Sequence, residues 1–121
     1  MQLNTYALKM PSQEAMNFRS ETDQVLNFVK KHYKKPGELI YPGAIQRALH
    51  ISIISIYKIL FALEEQGSVI HCYQVYCPEC SCYYDQIYNH LTEIPEEIFC
   101  TRCDGEIENP LTYTLVIFKK R

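Results

Sequence analysis

The chain has 121 residues, with 47% hydrophobic and 21% charged side chains, 10 Tyr, 5 Phe and no Trp. That is the length of one domain or two very small ones, and an ordinary globular composition, so disordered, collagen-like and large multidomain architectures are excluded. Charge divides unevenly. Residues 1–70 hold eight Lys/Arg against six Asp/Glu, whereas residues 71–121 hold four against eight, which makes the second half a poor surface for phosphates.

The longest apolar stretch, Ile51 to Leu63, is interrupted by Ser52, Ser55 and Lys58 and is too short to span a bilayer. The first ten residues lack a basic start followed by an apolar core, so no secretory signal is read and a cytoplasmic location is expected. Thiols in that compartment stay reduced, which favours metal ligation over disulfides for the six cysteines.

Residues 1–20 show a short alternation, Tyr6, Leu8 and Met10, ended by Pro11, and are predicted to form an extended N-terminal arm. A first helix is predicted from Ser20-Glu21-Thr22-Asp23, a hydroxyl cap with an acid three residues on, through Val25, Leu26, Val29 and Tyr33 to about Lys34. Lys30, Lys31, His32, Lys34 and Lys35 crowd its end. They suit the negative pole of the helix, and Pro36-Gly37 stops it; the alternative reading of the lysines is a phosphate-contacting patch. Pro42 opens a second, short helix with Ala44, Ile45, Ala48 and Leu49, ending near His50. Ser52 is placed as the cap of a third helix carrying Ile56, Leu60 and Leu63 on one face and stopped by Gly67. Two tightly joined helices form a helix-turn-helix pattern, and Val69 to Tyr76, rich in β-branched and aromatic residues, follows as a strand.

The segment from Tyr41-Pro42-Gly43-Ala44-Ile45 through Leu63-Glu64-Glu65-Gln66-Gly67 and Val69-Ile70 resembles the winged helix-turn-helix superfamily. That resemblance implies a three-helix domain over residues 21–76 whose third helix would present Ile53, Ile54, Tyr57, Lys58 and Phe61. Reading base edges requires Arg, Lys, Asn or Gln in fixed places, and of these five only Lys58 is basic. Ile53, Ile54, Tyr57 and Phe61 are therefore read as a protein-binding face, the alternative being that the chain's own arm or second half covers them.

The clearest chemistry lies in Cys77-Pro78-Glu79-Cys80 and Cys100-Thr101-Arg102-Cys103, two C-x-x-C pairs 19 residues apart. A two-residue gap lets one tight turn aim two sulfurs at a point, and two such turns complete a tetrahedron, so Cys77, Cys80, Cys100 and Cys103 are predicted to hold one structural zinc, with iron as the competing metal. Four thiolates leave no open position for an activated water. Cys72 and Cys82 are read as non-ligands, and His71 as the nearest candidate for an extra one. With Tyr83, Tyr84, Ile87 and Tyr88 between the pairs, the segment resembles a zinc ribbon, although Ser81 and Asp104 stand where that family often has glycine.

Residues 77–121 are thus expected to hold the ribbon and a closing strand, Thr112 to Lys119, that pairs with Val69 to Tyr76 and places the ribbon at or after the wing. The whole is read as α+β. This combination resembles the arrangement in archaeal transcription factor E, which implies a non-catalytic adaptor or regulatory module whose partner is another protein or a second copy of itself. The alternative is a dimeric winged-helix DNA-binding regulator using Lys30, Lys31, Lys34, Lys35 and Lys58 on phosphates. No paired acids, nucleophile–base couple or phosphate-cradling loop is present in the sequence, so neither an enzyme nor a small-molecule or membrane partner is expected.

Overall fold

The computed structural model describes residues 12–121, with side chains from residue 16 onward. Among these residues the protein is α+β: helices α1 (Ser12–His32), α2 (Pro42–Leu49) and α3 (Ile53–Glu65), and strands β1 (Leu39–Ile40), β2 (Val69–Tyr76), β3 (Tyr83–Tyr88), β4 (Glu97–Phe99), β5 (Glu106–Glu108) and β6 (Thr114–Lys120). One sheet has the strand order β1-β6-β2-β3, so the predicted neighbours β2 and β6 do lie side by side; β4 and β5 form a separate pair. The chain divides into a helical unit, ending at Ile70 and regaining Phe118–Arg121, and a ribbon unit, His71–Ile117. The boundary expected from the sequence lies at Tyr76.

The predicted arm is corrected. Positions 1–11 lie outside the described residues, but positions 12–20 are helical, and α1 therefore begins eight residues before the expected cap at Ser20. Its buried stripe is Phe18, Thr22, Val25 and Val29, a 4-3-4 spacing. Thr22 can occupy that stripe because its hydroxyl donates to the Phe18 carbonyl at 2.7 Å, which satisfies it inside the helix. A polar residue thus hid the continuity of the apolar face. The C-terminal signals act as expected, two residues early: Lys30, Lys31 and His32 form the last turn, and Gly37 takes φ +84°.

In the helical unit α2 starts with Pro42 in its first turn and ends where His50 adopts a left-handed conformation, its N–H bonding Gln46 O at 2.8 Å. Ser52 caps α3, its Oγ accepting from Ser55 N at 3.2 Å. Gly67 closes that helix at φ +82°, with Ser68 N reaching back to Leu63 O at 3.1 Å. Helix α3 supplies the largest share of the core of any element through Ile56, Ile59, Leu60 and Leu63, all fully buried along with Val25, Ile40, Ile45, Val69 and Phe118. The C-terminus completes this unit. Ile40 and Leu39 pair antiparallel with Phe118 and Lys119, and Gly37 N and Lys120 N bond Lys120 O and Glu38 O at 2.7 and 2.9 Å.

The ribbon unit is built around Val75, Cys77, Tyr88, Ile98, Cys100 and Ile107. The β2–β3 register shifts between Gln74 and Tyr76, and the buried Gln74 side chain donates to Tyr84 O at 3.0 Å, supplying a bond where the ladder is disturbed. In the β4–β5 pair Ile98 faces Ile107 on the buried side.

Candidate metal centre

Cys77 directly follows β2 and Cys80 lies one turn further on; Cys100 follows β4, and Cys103 precedes β5. The two turns are built alike. Cys77 N bonds Cys82 O and Ser81 N bonds Cys77 O, both at 2.8 Å; Cys100 N bonds Gly105 O at 2.8 Å and Asp104 N bonds Cys100 O at 2.9 Å. In each, the residue after the second cysteine must turn left-handed, and Ser81 and Asp104 do so at φ 58° and 59°. Both therefore hold a conformation that glycine adopts most readily, at the steric cost of a Cβ in that region.

The turns bring the four sulfurs together: the ligand atoms of Cys77, Cys80, Cys100 and Cys103 lie within 4.8 Å of one another. Across the cluster Cys77 Sγ is 3.7 Å from Cys103 Sγ, and Cys80 Sγ is 3.6 Å from Cys100 Sγ. A tetrahedron with metal–sulfur bonds near 2.3 Å has sulfur–sulfur edges of about 3.8 Å, so the cluster has the dimensions of a four-thiolate metal site. Cys77 and Cys100 are buried, Cys80 is half-buried and Cys103 is exposed.

Proton affinity differs sharply among Cys80, Cys100 and Cys103. Backbone N–H groups of Cys103 and Arg102, the latter 3.4 Å from Cys100 Sγ, bring the Cys100 thiol down to about 7, whereas desolvation pushes Cys80 up to about 12. The Gly105 N–H favours the Cys103 thiolate, but desolvation and the thiols of Cys77 and Cys100 outweigh it and raise that group. Without a cation Cys100 gives up its proton more readily than Cys80 or Cys103, whose desolvated thiols stay protonated.

The surrounding residues are arranged for the ligands. A Cβ at position 105 would lie 3.3 Å from Cys103 Sγ, closer than ordinary van der Waals contact, so a side chain there would press on that sulfur. Among the described residues the group able to hold one ion consists of these four cysteines. Cys82 Sγ donates instead to Cys80 O at 3.5 Å, Cys72 is buried in β2, and His71 stacks edge-on against Tyr73 at 5.5 Å.

The other sequence-selected residues are dispersed. Lys30, Lys31, Lys34, Lys35 and Lys58 are exposed. Ile54 is 66% exposed and Ile53 is partly covered. Tyr57 and Phe61 partly pack on the chain itself, their rings 6.2 and 5.0 Å from that of Phe118 in β6. The proposed contact face thus keeps Ile54 fully outward while its aromatic members lean on the closing strand. What the sequence did not disclose is the roles of Gly105 and of the left-handed Ser81 and Asp104; the sequence signal was the Asp104-Gly105 pair.

Fold and centre together define an α+β protein with a four-cysteine candidate metal site in a small β unit, among whose described residues no helix is long and apolar enough to cross a membrane. Comparison with protein families, curated proteins and solved structures finds no match to this chain.

Proposed function

We propose that the protein is a non-catalytic zinc-binding winged-helix module that acts through protein contacts, as an adaptor or regulator within a larger, transcription-type assembly. The observation that carries this reading is the four-cysteine cluster: every ligand position is filled by a thiol, which suits a structural ion and leaves none for an activated water. Zinc is favoured over iron by its preference for closed tetrahedral thiolate sites without redox chemistry. The winged-helix reading is supported by the topology, in which a two-residue strand after the first helix pairs with the last strand, and the last strand neighbours the one after α3. The ribbon is then an insertion within the wing. Ile54, outward on α3 beside Ile53, Tyr57 and Phe61, supplies apolar surface in place of base-reading donors.

Native mass spectrometry of the purified chain is expected to give one zinc ion per protein and a colourless sample. Duplex DNA is expected to bind weakly or not at all at about 150 mM salt. A second reading, a DNA-binding regulator, is favoured by one observation: the helical unit holds eleven Lys/Arg against six Asp/Glu, a net of +5. Tight duplex binding that falls steeply with salt and is lost on replacing Lys30, Lys31, Lys34, Lys35 and Lys58 would establish that reading and remove the first.

A further inference from the structure

The return of Phe118–Arg121 to the helical unit concentrates charge. The ribbon unit has eight Asp/Glu and a single Arg, Arg102, a net of −7 against +5 in the helical unit. The acid is also organised. An open groove of about 670 Å³ follows β4 and β5, with Ile94 and Leu111 in its walls and Glu96, Glu97, Glu106 and Glu108 along it, and no cationic side chain lines it. In the β-pair Glu97 stands directly opposite Glu108, both exposed. Like charges facing across an antiparallel pair destabilise it, so the fold itself gives no reason for this pairing. A ligand that brings positive charge gives one.

We propose that the occupant of this groove is the lysine-rich segment at and just after the end of α1, from a second copy of the chain. Lys30, Lys31, Lys34 and Lys35 are all exposed within six residues, and the acid nearest them in sequence, Glu38, is turned to the Lys35 backbone N–H. Four ammonium groups then meet four carboxylates, and the lysine stems have Ile94 and Leu111 to lie against. Each copy carries one groove and one lysine cluster, so a second copy supplies both complementary surfaces. The complementarity is electrostatic and rim-like, so the association is weak and strongly screened by salt. This inference is independent of the adaptor reading and concerns surfaces that α3 does not supply.

Sedimentation velocity on the full, metal-loaded chain tests it. At about 50 mM salt the weight-average sedimentation coefficient is expected to rise with concentration, and at about 500 mM it is expected to fall to the monomer value. Glu97→Lys with Glu108→Lys, and separately Lys34→Glu with Lys35→Glu, are each expected to weaken association at least about tenfold, and the quadruple variant carrying both swaps to regain it. Glu108→Lys alone is expected to raise the melting temperature while weakening association, because it replaces a repulsive cross-strand pair by an attractive one. Glu97→Gln with Glu108→Gln serves if the reversed variants lose their circular dichroism. The proposal is overturned by a parent chain that stays monomeric at low salt, by association that none of the substitutions weakens, or by a folded quadruple variant that stays monomeric.

Discussion

Ser81 and Asp104 show how little of a metal turn is dictated by the residue that usually fills it. Both hold φ near +60°, and the paired backbone bonds at each turn are the same to within 0.1 Å. Replacing Ser81 by glycine is expected to stabilise the metal-loaded protein by about 1 kcal/mol, since a Cβ in the left-handed region is removed and every backbone bond is kept; chemical denaturation reads the change. Gly105 is the opposite case. A methyl group there meets Cys103 Sγ, which in the apo protein can shift aside but in a loaded site is fixed by its bond to the ion. Gly105→Ala is therefore expected to lower metal affinity by about tenfold or more, as read by chelator competition, while leaving the helical unit's circular dichroism unchanged. The cysteine spacing was legible from the sequence because a C-x-x-C turn fixes its two sulfurs locally. Gly105's role was not, because its constraint comes from an atom placed by the tertiary arrangement of that turn.

Elements were legible wherever a local rule closed them. Ser52, Gly67, Pro42 and the basic end of α1 each act on neighbours within a turn, and the structure uses each as its chemistry requires. Ser52→Ala is expected to cost about 1 kcal/mol in urea unfolding by removing the bond to Ser55 N. The start of α1 was misread because two local signals competed: the cap-like Ser20–Asp23 sequence and a helical stripe continuing back to Phe18. Tertiary burial of Phe18 and Thr22 decided in favour of the stripe. Strand β1 was also missed, since two residues carry no periodicity, and Leu39–Ile40 is a strand only because β6 lies beside it. Phe118, fully buried in β6 against Tyr57 and Phe61, is where that pairing meets the core of the helical unit. Phe118→Ala is expected to destabilise by about 3–5 kcal/mol.

For the whole molecule, a metal ion held by the four-cysteine cluster would make folding of the ribbon and metal binding one equilibrium. The ribbon core contains two of the ligands, Cys77 and Cys100, among only six buried residues. Binding energies of roughly 10–16 kcal/mol for such structural sites exceed what a core of that size supplies. Strong chelation is thus expected to abolish the ribbon's β signal in circular dichroism while the α-helical signal persists. Protons decide the pH dependence. In the metal-free chain, whose ribbon is unfolded, the cysteines are ordinary thiols that hold their protons at neutral pH and must lose them to bind. Binding therefore releases protons, and affinity is expected to rise with pH between about 6 and 8 with a slope greater than one, falling as acid restores the thiols. Calorimetry in buffers of different ionisation enthalpy measures the proton count.

The two cysteine pairs, the three helices and the closing strand were set by the sequence itself, because each depends on spacing within a few residues or on an uninterrupted β-rich run. The division of charge between the units was not. Lys119, Lys120 and Arg121 count with an acidic half along the chain, yet pairing of β6 with β1 carries them into the basic unit. Likewise Glu97 and Glu108 are eleven residues apart in sequence and become opposed only through the β4–β5 register. Electrostatics act through space, so their pattern exists only once the chain has folded.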